Sequence, residues 1–364
     1  MNTIKPLRHI AHTRPYVPGG KLHGARGPVA MLASNENPFG ASPLALGAIE
    51  AAVKGGLQIY PDPDYGALRA SIARAKGIAD ASRIVTSAGS DEIIHLLTQC
   101  YAGPGDEVLF TEHAFSMYEV SARAHGASVI RAPETDMTAG VNAVLGAVSP
   151  ATKILFLANP NNPTGTMLSL DALRLLQDAL PPHVLFVVDG AYSEYLGPDY
   201  EAALRDLVDR RDTTVMMRTF SKIYGLAALR LGWAYMPEAI AETFQRIRGP
   251  FNVNTLAAEA GIASVGDNAF LKLSRDHNTE WRARLTEGLN AMGLPTPVSH
   301  ANFVVPQFGS AERAAAAFQY LKDQSILVRA IAGYGLPTRL RITVGSAEDN
   351  QRLLDALKTF TATR

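Results

Sequence analysis

The amino-acid sequence predicts an α/β fold: a large domain with a mostly parallel sheet covered by helices, and a smaller α+β domain after it. Two observations carry this. Short apolar runs alternate with amphipathic stretches through the middle of the chain, the pattern of strands joined by covering helices. The C-terminal third then changes to mixed short strands and helices. The length of 364 residues suits about two domains at ~150 residues each. A hydrophobic fraction of 47% with 19% charged residues excludes wholesale disorder.

In chain order, a strand ending at Val85 turns through Ala88-Gly89-Ser90-Asp91-Glu92 into a helix carrying Ile93, Ile94, Leu96 and Leu97. Residues 108–110, 154–157, 184–188 and 215–217 are apolar and strand-like. Between the second and third of these, Ser169 is a helix N-cap, with Leu173, Leu176 and Leu180 on one face. A long helical segment is expected after Asn254. A strand at 302–305, a helix at 314–321, strands at 326–329 and 340–344 and a final helix at 347–360 complete the pattern. The domain boundary is expected near residue 255.

Lys+Arg and Asp+Glu are equal at 34 each, so the chain lacks the basic excess typical of nucleic-acid or membrane-surface binding. Cys100 is the sole cysteine and cannot build an internal disulfide or a Cys-based zinc cage, which points to a reducing compartment. The first twenty residues carry no apolar core of a secretory signal, and the apolar runs are far shorter than the ~20 residues of a membrane span. A cytoplasmic protein without metal, membrane or nucleic-acid partner is therefore expected.

In open α/β sheets, ligands gather at the carboxyl ends of the strands. Four polar clusters fall there: Ala88 to Glu92; Asn159-Pro160-Asn161-Asn162-Pro163-Thr164-Gly165; Asp189-Gly190-Ala191-Tyr192; and Ser221-Lys222, with Arg230 eight residues further on. Singly, each also reads as a turn, a cap or a surface loop. Together they supply what is needed to bind an aldehyde cofactor bearing a phosphate and a pyridine nitrogen.

These motifs, with Ser34-Asn35-Glu36-Asn37-Pro38-Phe39-Gly40 and Leu340-Arg341-Ile342-Thr343-Val344-Gly345, resemble the pyridoxal-phosphate aminotransferases of fold type I, and most closely the branch acting on histidinol phosphate. The resemblance covers about nine-tenths of the chain. It implies three parts: an arm at 1–30 that closes over the site, a cofactor-binding domain at 31–255 and a small domain at 256–364. It implies that Lys222 holds the pyridoxal phosphate as a Schiff base and shuttles a proton, and that Asp189 faces the pyridine nitrogen. Asn162 and Tyr192 would bond the phenolic oxygen, and Phe115, where close relatives often carry tyrosine, would stack on the ring. The backbone N–H groups of Ser90 and Asp91, with Ser221 and Arg230, would bind the phosphate. Ala228 stands where many relatives have glycine. Tyr60 would cross a homodimer interface to the neighbour's cofactor. Arg341, Arg329, Tyr16 and Asn37 would meet the substrate.

The implied reaction is amino-group transfer between L-histidinol phosphate and 2-oxoglutarate. An aromatic amino-acid aminotransferase and a pyridoxal-phosphate decarboxylase of a phosphorylated amino acid are the rival enzymes. A non-catalytic cofactor-binding sensor is disfavoured, because it needs a DNA-binding region and a basic patch.

Overall fold

The computed structural model describes residues 4–11, 13 and 28–362. A seven-stranded sheet is formed by β1 (Ile84–Ser87), β2 (Glu107–Thr111), β3 (Ser128–Ala132), β4 (Thr152–Ala158), β5 (Leu185–Asp189), β6 (Thr214–Thr219) and β7 (Gly232–Tyr235). The spatial order is β1-β7-β6-β5-β4-β2-β3, with β7 antiparallel to both neighbours and the pairs from β6 across to β3 parallel. The strand expected to end at Val85 runs on to Ser87. Two strands, β3 and β7, were not foreseen.

Both faces of the sheet are apolar because both are covered. Leu155, Leu157, Phe186, Val188 and Met216 are buried on one side, with Leu173 and Leu176 of helix Leu170–Ala179 and Leu204, Leu207 and Val208 of helix Pro198–Arg210. Ile154, Phe156, Leu185, Val187, Val215 and Met217 are buried on the other. There they join Ile93, Ile94 and Leu97 of helix Ser90–Tyr101, and Ile240 and Phe244 of helix Glu238–Ile247. Each fully buried aliphatic or Phe side chain is worth about 1.5–3 kcal/mol against exposure. The Ser169 cap forms as expected, its hydroxyl accepting from the Ala172 N–H at 3.2 Å.

The long helical segment after Asn254 is two helices, Thr255–Val265 and Asn268–Ala291. The first ends at Gly266, and Asp267 caps the second by accepting from the Phe270 N–H at 3.1 Å. Helix Thr255–Val265 packs on helices Pro43–Lys54 and Gly66–Lys76 of the sheet-bearing body. A third core gathers around Trp281, Leu285, Leu289, Leu321, Leu353 and Leu357, past this helix. This core also takes Ala30 and Leu32 from the start of the chain, because Ala30–Met31 pairs in parallel with Ile326–Leu327. Its antiparallel sheet has the order β8-β10-β9, with β8 Phe303–Val304, β9 Arg329–Ala330 and β10 Leu340–Thr343. The single strand expected over 326–329 is thus two short ones in different sheets.

Candidate active site

The carboxyl ends of β4, β5 and β6 and the turn after β1 converge on a cavity of about 230 Å³. Its wall includes Ser90, Asp91, Phe115, Asn162, Asp189, Tyr192, Ser221, Lys222, Arg230, Arg329 and Arg341, joined by Ser34 and Asn35. Of the sequence-derived candidates, Asn37 and Tyr60 lie outside this wall. Tyr16 lies outside the described residues.

Asp189 ends β5 and is 5% exposed. Its Oδ2 accepts from the Tyr118 hydroxyl at 2.7 Å, and its Oδ1 accepts from the Ala191 N–H at 3.0 Å. Burial pushes the carboxyl up to about 6, while these two donors hold it down. It is therefore an anion at neutral pH, poised where a buried acceptor is needed. Tyr192 Oη accepts from Asn35 Nδ2 at 2.8 Å, which leaves its own proton for another acceptor. Phe115 meets the edge of Tyr118 at 5.8 Å between centroids.

Lys222 Nζ donates to the Ser34 carbonyl at 3.1 Å and stands 5.9 Å from the Tyr192 ring centre. Burial, then the charges of Arg341 and Arg230, lower its amine to about 8, against the opposing pull of Glu36 and Asp91. At pH 7 about a tenth of it is thus neutral and nucleophilic, far more than of an exposed lysine. The loop behind it is set by Gly225, at φ +67°, where a Cβ would run into the Gly40 carbonyl. That close approach seats the segment of residues 34–40 directly against the lysine loop.

In the turn after β1, Gly89, at φ +83°, starts helix Ser90–Tyr101. The first-turn N–H groups of a helix have no intrahelical acceptor and favour an anion. A Cβ on Gly89 would strike the Arg230 guanidinium, and one on Gly232 would meet Ser90 N at 2.5 Å and Gly89 C at 2.6 Å. Glycine at both positions keeps a cradle open between the helix start, β7 and Arg230. Arg230 itself sits at φ +56°, a strained conformation for a residue with a side chain. Its Nη1 lies 3.4 Å from Ser221 Oγ, and its Nη2 is 3.6 Å from the Asp91 carboxylate. A carboxylate partner for Arg230 is a feature that sequence reading, which used only the Asp91 N–H, did not supply. The cradle and its charged fork fit a phosphate.

Arg341 is 7% exposed, with Nη1 donating to Asn162 Oδ1 at 2.5 Å and Nη2 to the Ala33 carbonyl at 2.7 Å. Arg329 lies directly opposite it in the register of β9 and β10, so both project from the same face of that sheet. Two adjacent cations repel, and an anionic ligand relieves that repulsion. Asn37, expected to meet the substrate, bonds within the fold and lies outside the cavity wall. Its Nδ2 donates to the Ile223 carbonyl at 2.6 Å and Ser274 Oγ at 2.9 Å, and its Oδ1 accepts from the Phe39 N–H at 3.0 Å. Asn35, two residues earlier, takes the place at the cavity. Tyr60 is 76% exposed and stacks on Phe251 at 4.5 Å, beside exposed Leu57 and Ile59. Among the described residues no cluster of His, Cys, Asp or Glu could hold a metal, and no helix is long and apolar enough to cross a membrane.

The sheet with its ligand-end cavity, lined by a buried acid, a lysine of lowered pKa and an anion cradle, defines a class of enzyme. Residues 28–357 match the model for aminotransferase class I and II, and the chain belongs to that family. It is 79% identical, over all of its length and 99% of the relative, to the histidinol-phosphate aminotransferase of Hyphomonas neptunium. It is 46% identical to the protein of that name from Dinoroseobacter shibae, over 100% of this chain and 99% of the relative. The crystal structure of histidinol-phosphate aminotransferase from Sinorhizobium meliloti in complex with pyridoxal-5'-phosphate superimposes with a TM-score of 0.87 at 28% identity. That match covers 92% of this chain and 91% of the other.

Proposed function

We propose that this chain is a pyridoxal-phosphate-dependent transaminase that moves an amino group between L-histidinol phosphate and 2-oxoglutarate, a step of histidine biosynthesis. The observation that supports the reading is one cavity whose wall brings together Lys222, Asp189, the anion cradle at Ser90 and Arg230, and the register-paired Arg329 and Arg341. The 79% identity to a relative named histidinol-phosphate aminotransferase supports the substrate.

When bound, the cofactor supplies an aldehyde that takes up the donor's amine and a ring that accepts the electron pair released at the donor's α-carbon. Lys222 would hold the cofactor through its aldehyde between turnovers and, once released, its amine would carry a proton to and from the donor's α-carbon. Asp189 keeps a negative charge beside the ring nitrogen. Tyr192, its hydroxyl oxygen already occupied by Asn35, donates its proton to the phenolic oxygen, and Asn162 supports the same atom through its amide. Ser90, Asp91, Ser221 and Arg230 hold the cofactor phosphate, and Phe115 covers the ring. Arg341 and Arg329 receive the substrate's anionic end, because a guanidinium fork suits carboxylate and phosphate alike.

The working unit is a homodimer in the cytoplasm. The exposed patch of Leu57, Ile59 and Tyr60 is its contact, with Tyr60 reaching the neighbour's phosphate.

Mixing the cofactor-loaded chain with single amino donors tests the reaction class. A transaminase converts its cofactor to the amine form once, stoichiometrically, and stops without releasing carbon dioxide. Continuous carbon dioxide release contradicts the proposal.

A further inference from the structure

Tyr118 is buried completely, and its ring stacks on Phe156 at 4.8 Å and 5° between planes. A phenol in such an apolar layer costs free energy unless its hydroxyl is bonded. The bond it makes goes to Asp189 Oδ2 at 2.7 Å. The same ring presents its face or edge to Phe115, so one side chain touches both the acid and the aromatic residue of the cavity wall. Tyr118 is itself absent from that wall.

We propose that Tyr118 is a positioning residue that holds Asp189 ionised and aimed at the cavity, and so sets the pH below which the cofactor is lost. This rests on the reading of Asp189 as the partner of the cofactor's ring nitrogen. The Oδ2 bond from Tyr118 and the Oδ1 bond from the Ala191 N–H fix both carboxylate oxygens, and with them the plane of the group. A hydroxyl donor stabilises the anion over the acid, so its removal raises the carboxyl pKa. Other groups bearing on Asp189 are Asp91, which also raises it, and Arg218, which lowers it. Tyr192, still a neutral phenol in this range, is the remaining titratable neighbour.

The test is cofactor affinity of the full-length chain, measured by titrating apoprotein with pyridoxal phosphate across pH, for wild type, Tyr118→Phe, Asp189→Asn and the double variant. Phenylalanine keeps the stack on Phe156 and removes only the hydroxyl. The expected result for Tyr118→Phe is an acid limb of affinity moved up by about one pH unit, with affinity at alkaline pH unchanged. Asp189→Asn should lose the part of the acid limb that follows the Asp189 carboxyl, leaving the part set by Lys222, and adding Tyr118→Phe to it should change little further. A wild-type acid limb in Tyr118→Phe, with Asp189→Asn strongly impaired, overturns the role of Tyr118 alone. An equal loss of affinity at every pH, additive with Asp189→Asn, also overturns it, since that marks a packing defect. An unimpaired Asp189→Asn overturns the reading of Asp189 and the inference together.

Discussion

Lys222 and Asp189 both give up a proton as the pH rises around neutrality, and this makes the proposed capture of cofactor pH-dependent. The lysine amine, lowered to about 8, is protonated and non-nucleophilic below that pH and neutral above it. The Asp189 carboxyl, raised to about 6, is charged only above that pH. The rate at which apoprotein develops the colour of covalently held cofactor should therefore be lowest below pH about 6 and climb through pH about 8. A rate falling over that upper range would refute the assignment of the amine. Lys222→Ala should still bind cofactor but lose turnover by many orders of magnitude. Borohydride treatment of the wild type should fix the cofactor to the peptide containing Lys222, and label on another lysine would contradict the site. Lys222, Asp189, Asn162 and Arg230 were legible in the sequence because each follows a recognisable strand, where α/β sheets collect ligands. Tyr118 and Asn35 were not, since their value lies in partners 71 and 157 residues away. Tyr118 nevertheless sits one helical turn after Phe115, a spacing that puts both on one face. The choice between Asn35 and Asn37 was beyond a linear reading, because only the tertiary packing decides which amide is spent on Ile223 and Ser274.

The elements that read most clearly were those with a full apolar face. Strands β2, β4, β5 and β6 and the Ser169-capped helix bury continuous or periodic apolar sets, which the sequence displays directly. β7 escaped because it is four residues long and opens on Gly232, a residue that weakens any strand signal. Its glycine is explained by the helix start that lies against it. The helix break at Gly266 was hidden because the apolar pattern resumes almost in phase on the far side. Two substitutions separate local stability from site geometry. Ser169→Ala should cost about 1 kcal/mol in urea unfolding, through loss of the cap, with kcat/KM unchanged. Gly225→Ala adds a Cβ at φ +67° against the Gly40 carbonyl, and should both destabilise by more than about 1 kcal/mol and weaken cofactor retention. Full cofactor affinity in Gly225→Ala would show that the contact of the two loops is dispensable.

On the scale of the whole molecule, the chain assembles its cavity from segments that lie far apart in sequence. Ala33, Ser34 and Asn35 enter from the start, Arg329 and Arg341 from the end, and the rest from the central sheet. Ala30–Met31 joins the C-terminal core by pairing with Ile326–Leu327, a long-range pairing that no local pattern announces. The proposed homodimer would share its sites: mixing inactive Lys222→Ala chains with damaged Tyr60→Ala chains should restore part of the activity in heterodimers. Full activity in a monomer would exclude it. The central claim is the identity of the amino donor, and Arg341 is where it bears on the fold. Charge-assisted contacts are worth about 1.5–3 kcal/mol, so Arg341→Ala should slow both half-reactions at least tenfold. The most direct measurement is kcat/KM for L-histidinol phosphate, phenylalanine and tyrosine with 2-oxoglutarate as acceptor. A clear preference for L-histidinol phosphate is the predicted result. A clear preference for phenylalanine or tyrosine would contradict the account and assign the cavity to an aromatic amino acid.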